Sequence, residues 1–83
     1  MAALQELVEA QGFYIAGVYS LAKEKLTNII TSHANHYEAL IARAYTNWKL
    51  NSIEEGVKDA DAAISANSNR SEGLVIKGKM LLL

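Results

Sequence analysis

The sequence predicts an all-α fold of two antiparallel helix-turn-helix pairs followed by one extra C-terminal helix. Three observations predict it. Proline is absent from the 83 residues, so no ring removes an amide or kinks a helix. Apolar residues recur at spacings of three and four, the period of one helix face. The apolar pattern and the apparent helix starts also come back after a displacement of about 34 residues, as expected of stacked, similar units.

Breaks at Gly17-Val18, Ser32 to Asn35, Leu50-Asn51-Ser52 and Ala66 to Asn69 leave helices near 4–16, 19–32, 36–50, 53–66 and 71–83. The first carries Leu7, Ala10 and Tyr14 on one face. The second carries Tyr19, Ala22, Leu26, Ile29 and Ile30. The third opens at Asn35 as an N-cap with Glu38 three places on, and bears the stripe Ile41, Ala44, Trp48. The fourth opens at Ser52-x-x-Glu55, a capping box. It repeats the face of the second as Ile53, Gly56, Ala60, Ala63 and Ile64. The fifth opens at Asn69 with Glu72, bears Val75, Gly78 and Leu82, and ends on Met80, Leu81, Leu82 and Leu83 with no C-cap. The small residues Ala44, Gly56, Ala60 and Ala63 predict a seam where two helices approach closely.

Composition excludes several classes of function. Eight basic and nine acidic residues leave a net charge of −1 and form no basic patch, so no nucleic-acid partner is expected. Without cysteine there is neither a disulfide nor a thiolate metal site, which fits a cytoplasmic location. No apolar run approaches the roughly 18–20 residues of a membrane helix, so no membrane insertion is expected. His33 and His36 alone make a poor zinc site, and neither metal nor cofactor is expected. Glu54, Glu55, Asp59 and Asp61 are expected to form a solvated helix face rather than a catalytic pair. With no nucleophile–base set and no phosphate-cradling glycine loop, the chain is expected not to be an enzyme.

A period of about 34 residues, built of helix-turn-helix units, resembles the tetratricopeptide repeat. In that register the small residue of the first helix is Ala10, then Ala44, then Gly78. The turn glycine is Gly17, then Asn51. The small residue of the second helix is Ala22, then Gly56, and the next close-packing position is Ile29, then Ala63. Arg43-Ala44, Trp48-Lys49-Leu50 and the run Asp59 to Ile64 are similar to common variants of the family. Two features depart from it. The proline that ends a repeat is replaced by Ala34 and Ser68, and the buried tyrosine position holds Phe13, Asn47 and Leu81. Asn47 then needs a hydrogen-bond partner, because a bare buried amide is costly. Read from spacing alone, an unrelated five-helix bundle with accidental periodicity is the alternative.

The resemblance implies a single domain over 1–83, a fragment of a right-handed α-solenoid. Repeat one would span 3–36, repeat two 37–70, and a partial third repeat or capping helix 71–83. It implies a protein-interaction module of a scaffold, adaptor or co-chaperone-like protein. The partner peptide would lie in a concave groove lined by Gln11, Tyr14, Ile41, Tyr45, Trp48, Lys49, Val75 and Lys79. The rings of Tyr45 and Trp48 face either that groove or the core between helices. The alternative function is structural self-association, a homo-oligomer formed through Met80, Leu81, Leu82 and Leu83. Chaperone-binding members clamp an acidic C-terminal tail with Lys, Asn, Asn, Lys and Arg. The corresponding residues here are Leu7, Gln11, Ala42, Glu72 and Ile76, so the resemblance implies that this chain does not hold such a tail.

Overall fold

The computed structural model describes residues 2–82. Five helices follow one another: α1 (Ala2–Ile15), α2 (Tyr19–Ser32), α3 (Tyr37–Lys49), α4 (Ile53–Ala66) and α5 (Glu72–Leu81). No strand occurs among the described residues. Each helix lies within two residues of its expected bounds, apart from Leu83, which falls outside the described residues.

α1 and α3 end in the same way. Gly17 has φ 81° and Asn51 has φ 62°, the left-handed conformation that glycine adopts freely and asparagine tolerates. The Val18 amide donates to the Phe13 carbonyl at 2.8 Å, and the Ser52 amide to the Asn47 carbonyl at 2.7 Å. Both are the six-to-one bond of a Schellman turn, placed one repeat period apart. Asn51 therefore substitutes for Gly17 in geometry as well as in register.

The helix starts differ from expectation. Asn35 does not cap α3. The His36 amide bonds the His33 carbonyl at 3.0 Å, which carries the turn one residue further. His36 becomes the N-cap, its Nδ1 accepting from the Ala39 amide at 3.2 Å. Asn69 does not cap α5 either. The preceding turn is closed by Asn67, whose Oδ1 accepts from the Asn69 amide at 3.2 Å, and Ser71 occupies the N-cap position without a side-chain bond. Ser52 is the N-cap residue of α4 but makes no capping bond. Glu55 turns away from the backbone to pair with Lys23 of α2 at 2.6 Å, because a charged partner outweighs a neutral amide.

Packing is between neighbours. α1, α3 and α5 lie side by side, while α2 packs on α1 and α3, and α4 on α3 and α5. This is the local topology of a helical repeat stack. The two equivalent faces are both buried: Ala22, Leu26 and Ile29 on α2, and Gly56, Ala60 and Ala63 on α4. Ala10, Leu26, Ile29 and Ala39 knit the first hairpin to α3, and Ala44, Ala60, Ile76 and Met80 knit the second to α5. The seam is tight at Gly56, where an added Cβ would stand 2.6 Å from Met80 Sδ and 3.3 Å from the Ala44 carbonyl oxygen.

The third copy of the pattern has no cover. Leu40 on α3 is 2% exposed, but Leu74, its equivalent on α5, is 59% exposed. Gly78, the counterpart of buried Ala44, has nothing within 4 Å of where a side chain would begin. No described helix packs on that face of α5.

A charged clasp joins the two helices of each hairpin. Arg43 Nη2 lies 2.7 Å from Asp59 Oδ1, and Lys25 Nζ lies 3.4 Å from Glu9 Oε1. These are the same two positions in successive repeats, with the signs exchanged.

Candidate peptide-binding groove

A cavity of about 390 Å³ opens between α1 and α3. α1 contributes Ala10, Gln11, Tyr14 and Ile15, α3 contributes Ala42, Tyr45 and Thr46, and Leu26 of α2 forms the floor. Two of the lining residues, Ala10 and Ala42, are small, which leaves room between the larger side chains of Tyr14, Leu26 and Tyr45. Its mouth is open where Gln11 and Ile15 are exposed. No charged side chain lines it. The Thr46 hydroxyl is already committed, donating to the Ala42 carbonyl at 2.7 Å. Burial, together with the neighbouring phenols of Tyr19 and Tyr45, pushes the Tyr14 hydroxyl above its ordinary pKa, so the wall stays neutral at physiological pH.

Three of the eight expected groove residues, Gln11, Tyr14 and Tyr45, come together at this cavity. Trp48 stands beside Tyr45, ring centroids 6.3 Å apart. Ile41, Tyr45 and Trp48 are half-buried, each packing one side on the cluster of Ala44, Ala60, Ile76 and Met80. Of the three, only Tyr45 also lines the cavity. Lys49, Val75 and Lys79 are exposed and take no part in the cavity.

At the start of α3 and α5 lies a second cluster. Arg70 pairs with Glu38 at 2.7 Å and with Glu72 at 2.8 Å, and its guanidinium sits 4.4 Å over the Tyr37 ring. The Tyr37 hydroxyl donates to Glu72 at 3.3 Å and accepts from the Gly73 amide at 3.2 Å. The hydrogen bond from Arg70 holds the Glu38 carboxyl below its ordinary pKa. Of the five positions at which chaperone-binding repeats clamp an acidic tail, Leu7 and Ile76 are buried in the core. Glu72 is already paired with Arg70. None of the five residues is basic, so the positive charges of that clamp are not present.

One polar site was missed in the sequence. Asp59 is not on a solvated face. It is buried, and Arg43 grips it through Nε and Nη2 at 2.9 and 2.7 Å. The buried Asn47 donates to the same carboxylate at 2.9 Å, which supplies half of what its position requires. Its Oδ1 has no protein partner. The signal was available, since Asp59 stands three residues after Gly56 and four before Ala63, inside the buried stripe. His36 likewise has a structural task as the cap of α3. Met80, expected to serve an oligomer contact, is buried against Gly56 and belongs to the core. Leu81 and Leu82 are 64% and 88% exposed.

Among the described residues no group of three or more His, Asp or Glu side chains could hold a metal ion. No described helix is long and apolar enough to cross a membrane.

The stacked hairpins, the left-handed turns and the small-residue seams together define a tetratricopeptide-type repeat fold. The described fold superimposes on the first TPR domain of Spaghetti (RPAP3), solved bound to the HSP90 peptide SRMEEVD, with a TM-score of 0.92. Sequence identity is 15%, and the match covers 96% of this chain and 64% of the other. At that identity the likeness is one of fold. This chain spans less than two thirds of that protein chain. No family model and no curated protein matches the sequence.

Proposed function

We propose that the chain is a protein-interaction module that binds a partner segment on the surface formed by α1, α3 and α5, and that it catalyses no reaction. The observation that carries this reading is the open, uncharged cavity between α1 and α3, bordered by Tyr14 and Tyr45. Aromatic side chains beside a desolvated pocket are the usual anchors of protein recognition. A neighbour of the same fold is solved with a peptide bound, which supports a peptide as the class of partner. The groove comprises Gln11, Tyr14, Ile41, Tyr45 and Trp48, with Lys49, Val75 and Lys79 towards its rim. The repeat units are 3–36, 37–70 and 71–83, and the parent protein is a scaffold, adaptor or co-chaperone-like protein of the cytoplasm.

A photo-crosslinking amino acid at Gln11, and separately at Glu24 on exposed α2, tests the proposal in cell extract. A partner trapped from position 11 and not from position 24 is the expected result. Equal capture from both, or none from position 11, rejects it.

A second reading, self-association through α5, is favoured by the bare face at Leu74, Gly78, Leu81 and Leu82. Apolar patches of this kind mark contact surfaces. Sedimentation velocity separates the readings, since a chain that stays monomeric at high concentration removes the second.

A further inference from the structure

On α1, Leu4, Val8, Gln11 and Ile15 follow one another at spacings of four, three and four, and so share one face. The three apolar members are 64%, 60% and 85% exposed. Gln11 and Ile15 also line the cavity, so stripe and cavity form one continuous surface. From Leu4 to Ile15 it runs for about 16 Å, three helical turns.

We propose that this surface seats an amphipathic helix of a partner protein, with an apolar, uncharged face turned inward. The inference rests on the peptide-binding reading above and narrows it to one class of ligand. Two physical arguments select the helix. An extended peptide brings a donor and an acceptor at nearly every residue, and each needs a partner once buried. The cavity wall offers only the Gln11 amide and the hydroxyls of Tyr14 and Tyr45, because Thr46 is committed to Ala42. A helix satisfies its own backbone and asks for nothing that this wall lacks. The second argument is charge. A carboxylate or ammonium group in the cavity would lose its hydration and find no counter-ion, so the inserted face is aliphatic or aromatic. The recognition mode is then a helix laid in a groove, read by anchors at helical spacing.

The test uses three probes. One is a synthetic peptide of about 16 residues, with Leu and Phe at helical spacing on one face and Gln, Ser, Lys and Glu in balance on the other. The second is its scrambled isomer, and the third is the acidic peptide SRMEEVD. Trp48, the single tryptophan, reports binding by fluorescence, and circular dichroism reports the conformation of the bound peptide. The amphipathic peptide is expected to bind and gain helicity, with the scrambled isomer weaker by about tenfold or more. Val8→Lys, which charges the exposed stripe, and Ala42→Leu, which fills the cavity, are each expected to weaken binding about tenfold. Leu21→Lys, on the exposed part of α2, should leave it unchanged. Should Ala42→Leu fail to fold, Val8→Lys, at an exposed position, still decides the matter.

Equal binding of the scrambled isomer, a bound peptide without added helix, or indifference to Val8→Lys overturns the inference. Binding of SRMEEVD alone overturns it as well while leaving the peptide-binding reading intact. If none of the probes binds but crosslinking from position 11 still traps a partner, only the helix inference falls; if crosslinking fails too, both fall. A dimer of the chain itself that Val8→Lys dissolves would assign the surface to a second copy and likewise overturn the proposal.

Discussion

Asp59 is buried, and its carboxylate serves Arg43 and Asn47 at once. Removing a buried carboxylate leaves its partners uncompensated, and that penalty exceeds the net worth of the pair itself. Asp59→Ala is therefore expected to cost about 3 kcal/mol, measured by urea unfolding. Asp61→Ala, which removes an exposed partner of Lys77, is expected to stay within about 0.5 kcal/mol of the parent. Equal losses in the two variants would show that the Asp59 network has no special weight. The need for such a network was readable, because Asn47 occupies a position where the repeat family buries an aromatic ring. The identity of the partner was not, because Asp59 sits in an acidic run whose other members face water. Only the phase of the stripe Gly56, Ala60, Ala63 separates it from them.

At the scale of elements, the close approach of α4 to α3 and α5 depends on what is missing at Gly56. A Cβ there meets Met80 Sδ and a backbone carbonyl, and a longer side chain would have to displace α5. Gly56→Leu is expected to destabilise the fold by about 1–3 kcal/mol, while Gly78→Ala, in open space, should stabilise α5 slightly through helix propensity. Thermal unfolding of the two variants checks the contrast, and a neutral Gly56→Leu would mean that the seam is loose. The five helices and the positions of both turns were legible because each depends on local chemistry and on one periodic pattern. The N-caps were not. Asn35 and His36 compete at one start, and Asn67, Asn69 and Ser71 compete at another. Short polar side chains bond whichever backbone amide the turn presents, and that depends on the turn geometry rather than on residue type alone.

For the molecule as a whole, surface charge couples distant parts of the chain. Lys23 of α2 reaches Glu55 of α4, and Arg70 ties Glu38 to Glu72. The hydrogen bond from Lys23 holds Glu55 below its ordinary carboxyl pKa, as that from Arg70 does Glu38. A carboxylate whose pKa is lower in the folded state binds protons more readily when unfolded. The stability it contributes is complete above the reference value of 4.5 and is lost as pH falls through the lowered values. The thermal midpoint is thus expected to decline on acidification below pH 4.5, and less steeply in high salt, which screens exposed pairs. A midpoint that does not move between about pH 5 and pH 3 would contradict this linkage. The cavity between α1 and α3 could not be foreseen at this scale. It is the space left between helices of successive units, lined by residues distant in the chain such as Ala10 and Ala42, and periodicity reports faces rather than gaps.

The two clasps of opposite polarity carry a consequence for assembly. The hairpins are close copies in shape, so α1 could in principle fold onto α4, and α3 close on α2 as its own hairpin mate, during synthesis or at high concentration. The first exchange would set Glu9 against Asp59, and the second would set Arg43 against Lys25, like charge on like charge in both cases. Each hairpin thus has an electrostatic address that the other does not complement, and either exchange meets like charge with like.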